Sequence, residues 1–82
     1  MSYEKVKQAK EAIIGTKQAV KAMKKGLVKE VYIALDVEER IIELARQTAE
    51  ENNVSINYVE SKVDLGKACG LRLAASVVAI TV

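Results

Sequence analysis

The sequence predicts an α/β sandwich, a small central sheet with helices packed on both faces. Three observations carry this. Short apolar runs rich in β-branched residues, VYIAL and VVAITV, alternate with segments whose apolar residues recur every three or four positions. Glycines and asparagines punctuate the boundaries, and no proline breaks an element from within. Half of the 82 residues are hydrophobic, while only Tyr3, Tyr32 and Tyr58 are aromatic. A chain of this length makes one domain, residues 1–82, around an aliphatic core.

The elements follow in order. Ser2 is placed to cap a first helix, with Val6, Ala9, Ala12 and Ile13 on its inner face. Gly15 breaks that pattern, and a short strand near Ile13–Ile14 would bring the sheet to four strands. From Gly15 to Gly26, GTKQAVKAMKKG reads as a helix of about three turns. Its inner side is Ala19, Val20, Ala22 and Met23, and its outer side is Lys17, Lys21, Lys24 and Lys25. Val28 to Leu35 reads as a buried strand. Asp36 and Glu39 have the spacing of a capping box and open the next helix, whose inward positions are Ile41, Ile42, Leu44, Ala45, Thr48 and Ala49. Asn52 and Asn53 end it, because asparagine tolerates the left-handed conformation. Val54 to Val59 alternates as a strand. Ser61 and Asp64 repeat the capping-box spacing and open a short helix through Leu65 and Lys67 that Gly70 stops. Ala74 to Val82 is almost wholly apolar, as a strand covered on both faces must be. Periodicity alone leaves the sheet open between parallel and mixed order.

Composition removes several function classes. No apolar run approaches the roughly 20 residues of a membrane helix. Lys5, Lys7, Lys10 and Glu11 interrupt any signal-peptide pattern, so a cytoplasmic location and no membrane partner are expected. Cys69 is the only cysteine and has no internal disulfide partner. It reads as a small buried residue, with neither a base nor a second thiol to make it a nucleophile. The chain has no histidine, the commonest general base and transition-metal ligand. GxGxxG, P-loop and zinc patterns are absent. No catalytic residue, cofactor or metal site is expected, and an enzyme is disfavoured.

The formal net charge of +2 hides a strong segregation. Residues 1–30 hold eight lysines against Glu4, Glu11 and Glu30. Residues 31–60 hold Arg40 and Arg46 against seven carboxylates, and residues 61–82 hold Lys62, Lys67 and Arg72 against Asp64. Such a dipolar molecule attracts an anion on one side and repels it on the other. The four lysines of the helix from Gly15 have no acidic residue at i±4, so they form no salt-bridge ladder. Its start also brings the amides of a helix N-terminus, which attract anions, beside the stripe. Nucleic acid is the leading partner. Gln18 stands among the lysines with an amide that donates and accepts, so it can read a base edge where lysine only neutralises phosphate. The second candidate segment is LGKACGLRL, in which Leu71 and Leu73 flank Arg72. Either both leucines pack under the sheet, or the loop presents aliphatic surface and a cation to an unstacked base, as looped RNA offers.

GTKQAVK at 15–21, VYIALDV at 31–37 and SKVDLGKACG at 61–70, in this order and spacing, resemble the ribosomal protein L7Ae family, most closely its small bacterial members. The resemblance covers about residues 5–82. It implies a three-layer α/β/α sandwich, with a central four-stranded sheet taken as mixed. It also implies binding to kink-turn RNA, a sharply bent helix–bulge–helix with tandem sheared G·A pairs. By that resemblance Gly15, Thr16, Lys17, Gln18 and Lys21 occupy the positions that enter the groove at the G·A pairs. Leu71, Arg72 and Leu73 occupy the loop that covers the extruded bulge nucleotide, with Lys62 and Lys67 near it. Lys24 and Lys25 extend the cationic stripe. The expected partner is structured RNA, ribosomal RNA foremost, bound by a monomer that is ribosome-associated or chaperone-like. Where the family often has Asn followed by Glu, this chain has Lys17 and Gln18. Glutamine accepts through one oxygen only, and Lys17 moves its contact toward phosphate. The rival reading is a protein–protein module docking through the acidic helix 36–51.

Overall fold

The computed structural model describes residues 12–81. The expected first helix, with Ser2, Val6 and Ala9, lies outside the described residues, as does Val82. Within them the order is β1 (Ala12–Ile14), α1 (Thr16–Lys24), β2 (Val28–Ala34), α2 (Glu39–Glu51), β3 (Ser55–Val59), α3 (Lys62–Ala68) and β4 (Val77–Thr81). The strands form one sheet in the order β1-β4-β2-β3. β4 runs antiparallel to both its neighbours, while β2 and β3 are parallel, so the sheet is mixed. The short strand near Ile13–Ile14 forms, and it takes Ala12 and Ile13 with it: they pair with Ile80 and Ala79 and are not helical.

Alternation along the strands splits the core in two. Val31, Ile33, Val77 and Ala79 face α1 and α2, which supply Ala19, Val20, Ala22, Met23, Ala45 and Ala49. Tyr32, Ala34, Val78 and Ile80 face the opposite side, where α3 supplies Leu65 and Ala68. That is the three-layer sandwich. A register shift between Val28 and Glu30 against β4 interrupts the alternation of β2. It lets Val28 join the same side as Val31 while Lys29 points to solvent. β4 is buried from Val77 to Ile80, as its unbroken apolar run requires.

Two local expectations change. Val28–Leu35 ends one residue early: Leu35 lies beyond β2 and is exposed. The capping box at Asp36 does not form. α2 starts at Glu39 with Glu38 at its N-cap and no side-chain cap hydrogen bond. The Asp36 carboxylate instead accepts the backbone N–H of Lys62, at 2.9 Å. Three further positions of α2 differ from the pattern: Leu44 is 48% exposed, and Ile41 and Ile42 sit half-buried at the edge of the core. Ser61 does cap α3, its side chain accepting from Asp64 N–H at 3.2 Å.

The three described helices end by one device. Gly26, Asn53 and Gly70 have φ of 74°, 56° and 78°, and the residue after each donates back to the carbonyl of Ala22, Ala49 and Gly66. This is the Schellman closure, which satisfies carbonyls that a helix end would leave orphaned. It confirms the sequence reading of glycine and asparagine as stops.

Tyr32 is the largest fully buried side chain. Its hydroxyl donates to Glu30 Oε1 at 3.4 Å, and Asn57 Nδ2 donates to the other oxygen of the same carboxylate at 3.4 Å. Burial first, then the charge and hydrogen bond of Glu30, push the Tyr32 phenol up to about 12. The folded chain thus holds this proton more tightly than the unfolded one, whose phenol titrates near its ordinary value. The stabilisation is complete below about pH 10 and is lost as pH rises through about 12, a loss on the order of 3 kcal/mol. Absorbance titration is expected to show one of the three tyrosines ionising near pH 12. Tyr32→Phe is expected to remove both that late phase and the alkaline fall in unfolding free energy.

Candidate nucleic-acid interface

One edge of the sheet collects the candidate segments, and backbone hydrogen bonds tie them together there. β1 runs toward this edge and ends at Gly15, whose N–H donates to Val77 O at 2.9 Å, the first residue of β4. β2 and β3 run the same way: Ala34 N–H donates to Ser76 O and Leu35 N–H to Val59 O, both at 2.9 Å. Ala75 N–H donates to Lys62 O at 2.9 Å. The start of α1, the start of α3 and the loop 70–76 therefore share one rim.

α1 leaves the rim at Gly15, whose φ of 108° and ψ of 146° suit glycine and few other residues. A Cβ there would meet nothing, so the requirement is backbone conformation and not space. The helix has no side-chain cap hydrogen bond and no acidic residue in its first turn. Its first amides are thus left for an anionic partner. Lys17, Gln18, Lys21, Lys24 and Lys25 are all exposed, opposite the buried Ala19, Val20, Ala22 and Met23. Among the described residues no ion pair involves any of these lysines. Lys17 and Gln18 stand at the rim, with Lys21 one turn behind. Lys24 and Lys25 close the far end of α1, about 13 Å along the helix, and belong to a longer electrostatic stripe.

The loop after α3 splits the two leucines between the alternatives that the sequence left open. Leu71 is the residue whose N–H closes the Schellman turn on Gly66, at 2.9 Å, and its side chain packs against the α3-side core. Leu73 is 78% exposed, and Arg72 is exposed beside it. Gly66 makes this arrangement possible, since a Cβ on it would collide with the Leu73 carbonyl. The two glycines of LGKACG thus have different duties: Gly66 admits the loop backbone, and Gly70 turns it. Lys62 opens α3 at the rim, half-buried, and Lys67 lies exposed in its last turn, away from it. Cys69 is half-buried at the end of α3, and burial pushes its thiol up, away from thiolate chemistry.

Sequence reasoning missed the rest of the rim's apolar surface. Leu35 and Val63 are exposed there, after β2 and in the first turn of α3. No local pattern marks them, because exposure at the end of a strand depends on what packs above it.

The acidic helix has a different character from α1. Arg46 donates to both Glu43 oxygens, at 3.3 and 2.7 Å, and to Glu50 at 2.8 Å. These bonds hold the Glu43 carboxyl below its ordinary range and the Arg46 guanidinium above its own. Arg40 pairs with Glu38 at 3.1 Å. The two arginines thus offset part of the negative charge of this stretch, which stays net acidic through Asp36, Glu39 and Glu51. Among the described residues no group of histidine, cysteine and carboxylate side chains could hold a metal ion. No described helix is long and apolar enough to cross a membrane.

Comparison with known proteins agrees with this architecture. A model of the ribosomal protein L7Ae/L30e/S12e/Gadd45 family matches residues 2–82. A protein of Bacillus pumilus strain SAFR-032, described as an RNA-binding protein, is 48% identical over 80 residues, 98% of each chain. RNA-binding protein YbxF of Geobacillus stearothermophilus is 48% identical over 80 residues, again 98% of each chain. Among solved structures, the Giardia lamblia 15.5kD RNA binding protein superposes with a TM-score of 0.84 at 27% identity, covering 99% of this chain and 71% of that one. With the family model spanning nearly all of its length and the three-layer fold in place, the chain belongs to the ribosomal protein L7Ae/L30e/S12e/Gadd45 family.

Proposed function

We propose that this protein binds RNA and is not an enzyme, and that its target is a kink-turn. The observation that carries the reading is the rim. There an uncapped helix N-terminus with exposed Lys17 and Gln18 lies on the same edge as a loop bearing the exposed Arg72 and Leu73. RNA binding is supported by the family and by relatives described as RNA-binding proteins. Kink-turn recognition is the finer step. It needs two readers set apart: a helix start that enters the groove at the G·A pairs, and an apolar cap for a base that has left the stack. In this reading Lys17 and Lys21 neutralise phosphates, helped at longer range by Lys24, Lys25, Lys62 and Lys67. Gln18 contacts a base edge, with Gly15 and Thr16 admitting the RNA backbone to the first amides of α1. Leu73 covers the extruded base with Arg72 beside it, and Leu71 supports the loop from below. The protein acts in the cytoplasm as a monomer on structured RNA, ribosomal RNA first among candidates, with ribosome association following from that target.

The acidic helix is the weaker docking surface. Three of its carboxylates, Glu38, Glu43 and Glu50, are paired with arginines of the same stretch, whereas the α1 lysines have no ion partner among the described residues. An uncompensated charge gains more from a new partner than one already paired.

Two experiments test the reading. In a mobility-shift titration, Gln18→Ala is expected to cost about 1–3 kcal/mol on a kink-turn and little on plain duplex, taking the scale of base-edge contacts in DNA. If three or four phosphates are neutralised, log K against log salt should slope by roughly −2 to −4. Equal loss on both RNAs removes the reading role of Gln18, and a flat salt dependence removes the electrostatic one. The two leucines separate by what each is asked to do. Leu71→Ala is expected to destabilise the fold by about 2 kcal/mol, less than a fully buried leucine because the site is half-exposed. Leu73→Ala is expected to leave thermal unfolding unchanged and to weaken binding only when the RNA carries an extrudable base.

A further inference from the structure

The Asp36 carboxylate stands where a polyanion-binding rim has least use for it. It is exposed, on the turn between β2 and α2, on the same edge as Lys62 and the loop bearing Arg72. A negative charge there opposes RNA. Its bonding explains its presence. Asp36 Oδ1 accepts the N–H of Lys62, the first residue of α3 and 26 residues distant, at 2.9 Å. The same residue's carbonyl accepts the N–H of Ala75 at 2.9 Å. Lys62 is thus the middle of a three-segment relay: the β2–α2 turn, the start of α3, and the stem of the loop that carries Leu73. Ser61 does not duplicate it, because its side chain serves Asp64 N–H. The other end of the loop is set by Leu71 N–H on Gly66 O and by the contact of the Leu73 carbonyl with Gly66. Between those anchors Leu73 has little burial of its own, so its place depends on the stem.

We infer that Asp36 is a positioning residue for base capping: by holding the Lys62 amide it fixes the stem at Ala75, and so sets where Leu73 meets an extruded nucleotide. This deepens the proposed function and rests on it for the nucleotide. The hydrogen bond is the useful part, and the charge works against binding. The two are separable because asparagine keeps an accepting oxygen without the charge.

The test has an arm without RNA and an arm with it. In the free protein, amide exchange followed by NMR is expected to rise at Lys62 and Ala75 by up to roughly tenfold in Asp36→Ala, the upper end of the scale for one lost hydrogen bond. The amides of Tyr32 and Val78 in the sheet should be unchanged, and Asp36→Asn should match the wild type. In the second arm the probes are one kink-turn RNA and the same RNA with an abasic bulge position. Asp36→Ala is expected to lose roughly tenfold in affinity on the first and little on the second. Asp36→Asn should bind as well as wild type or more tightly. Should the alanine variant fail to fold, Asp36→Glu keeps the charge and displaces the oxygen, and a smaller loss with the same selectivity is expected. Uniform acceleration of exchange, equal loss on both RNAs, or no loss at all overturns the inference. If the wild type does not prefer the kink-turn over an RNA with its G·A pairs mutated, the proposed function falls. The exchange arm then still decides whether Asp36 holds the stem.

Discussion

The carbonyl of Val77 accepts the amide of Gly15, and one residue earlier the carbonyl of Ser76 accepts the amide of Ala34. These two bonds lie at the start of β4, which pairs antiparallel with β1 on one side and β2 on the other. From Val77 to Ile80 its side chains are buried in both halves of the core, Val77 and Ala79 toward α1 and α2, Val78 and Ile80 toward α3. A strand anchored on four sides has one register open to it, because a slip of one residue would exchange its two faces. Since β4 begins where loop 70–76 ends and where α1 begins, its register sets the distance between the two arms of the rim. The candidate interface is thus an extension of core packing and not a feature of mobile loops.

Helix ends complete that geometry. The same left-handed closure stops all three described helices, at Gly26, Asn53 and Gly70, but only the last lies on a candidate arm. There the closure half-buries Leu71 and turns the chain outward, so that the next two residues, Arg72 and Leu73, are free of the core. The helix stop, Gly66 to Leu71, thus runs directly into the candidate binding residues Arg72 and Leu73. Gly66 links them, because the loop backbone lies where its side chain would be.

Charge is distributed in a corresponding way. α1 and α2 pack side by side on one face of the sheet, yet they treat their charges oppositely. The arginines of α2 pair with Glu38, Glu43 and Glu50, and exposed pairs of this kind contribute little to stability. They do reduce the field that α2 presents to a basic partner. The lysines of α1 have no ion partner among the described residues, and their field is directed at solvent. The net charge of +2 conceals this difference.

What the sequence determined by itself is what short-range physics controls. The order of strands and helices, the stops at glycine and asparagine, the Ser61 cap, the lysine face of α1 and the two-sided burial of β4 all follow from periodicity or backbone preference within a few residues. The motifs at 15–21, 31–37 and 61–70 were also enough to identify the family that the comparisons show. Tertiary structure alone decided whatever depends on residues far apart in the chain. Capping spacing assigns Asp36 to Glu39, but Glu38 takes the N-cap position and the Asp36 carboxylate accepts the Lys62 amide, across 26 residues. Leu71 and Leu73 are indistinguishable by residue type, and packing against the α3 side of the core half-buries the first and leaves the second exposed. Leu35 and Leu44 fit apolar patterns but are exposed, because no described element covers them at those points. Ala12 and Ile13 fit a helical spacing but belong to the sheet, because β4 offers them an unpaired edge. For Asp36, Ala12 and Ile13 the local preference is worth about a kilocalorie, and a non-local hydrogen bond or strand pairing outweighs it.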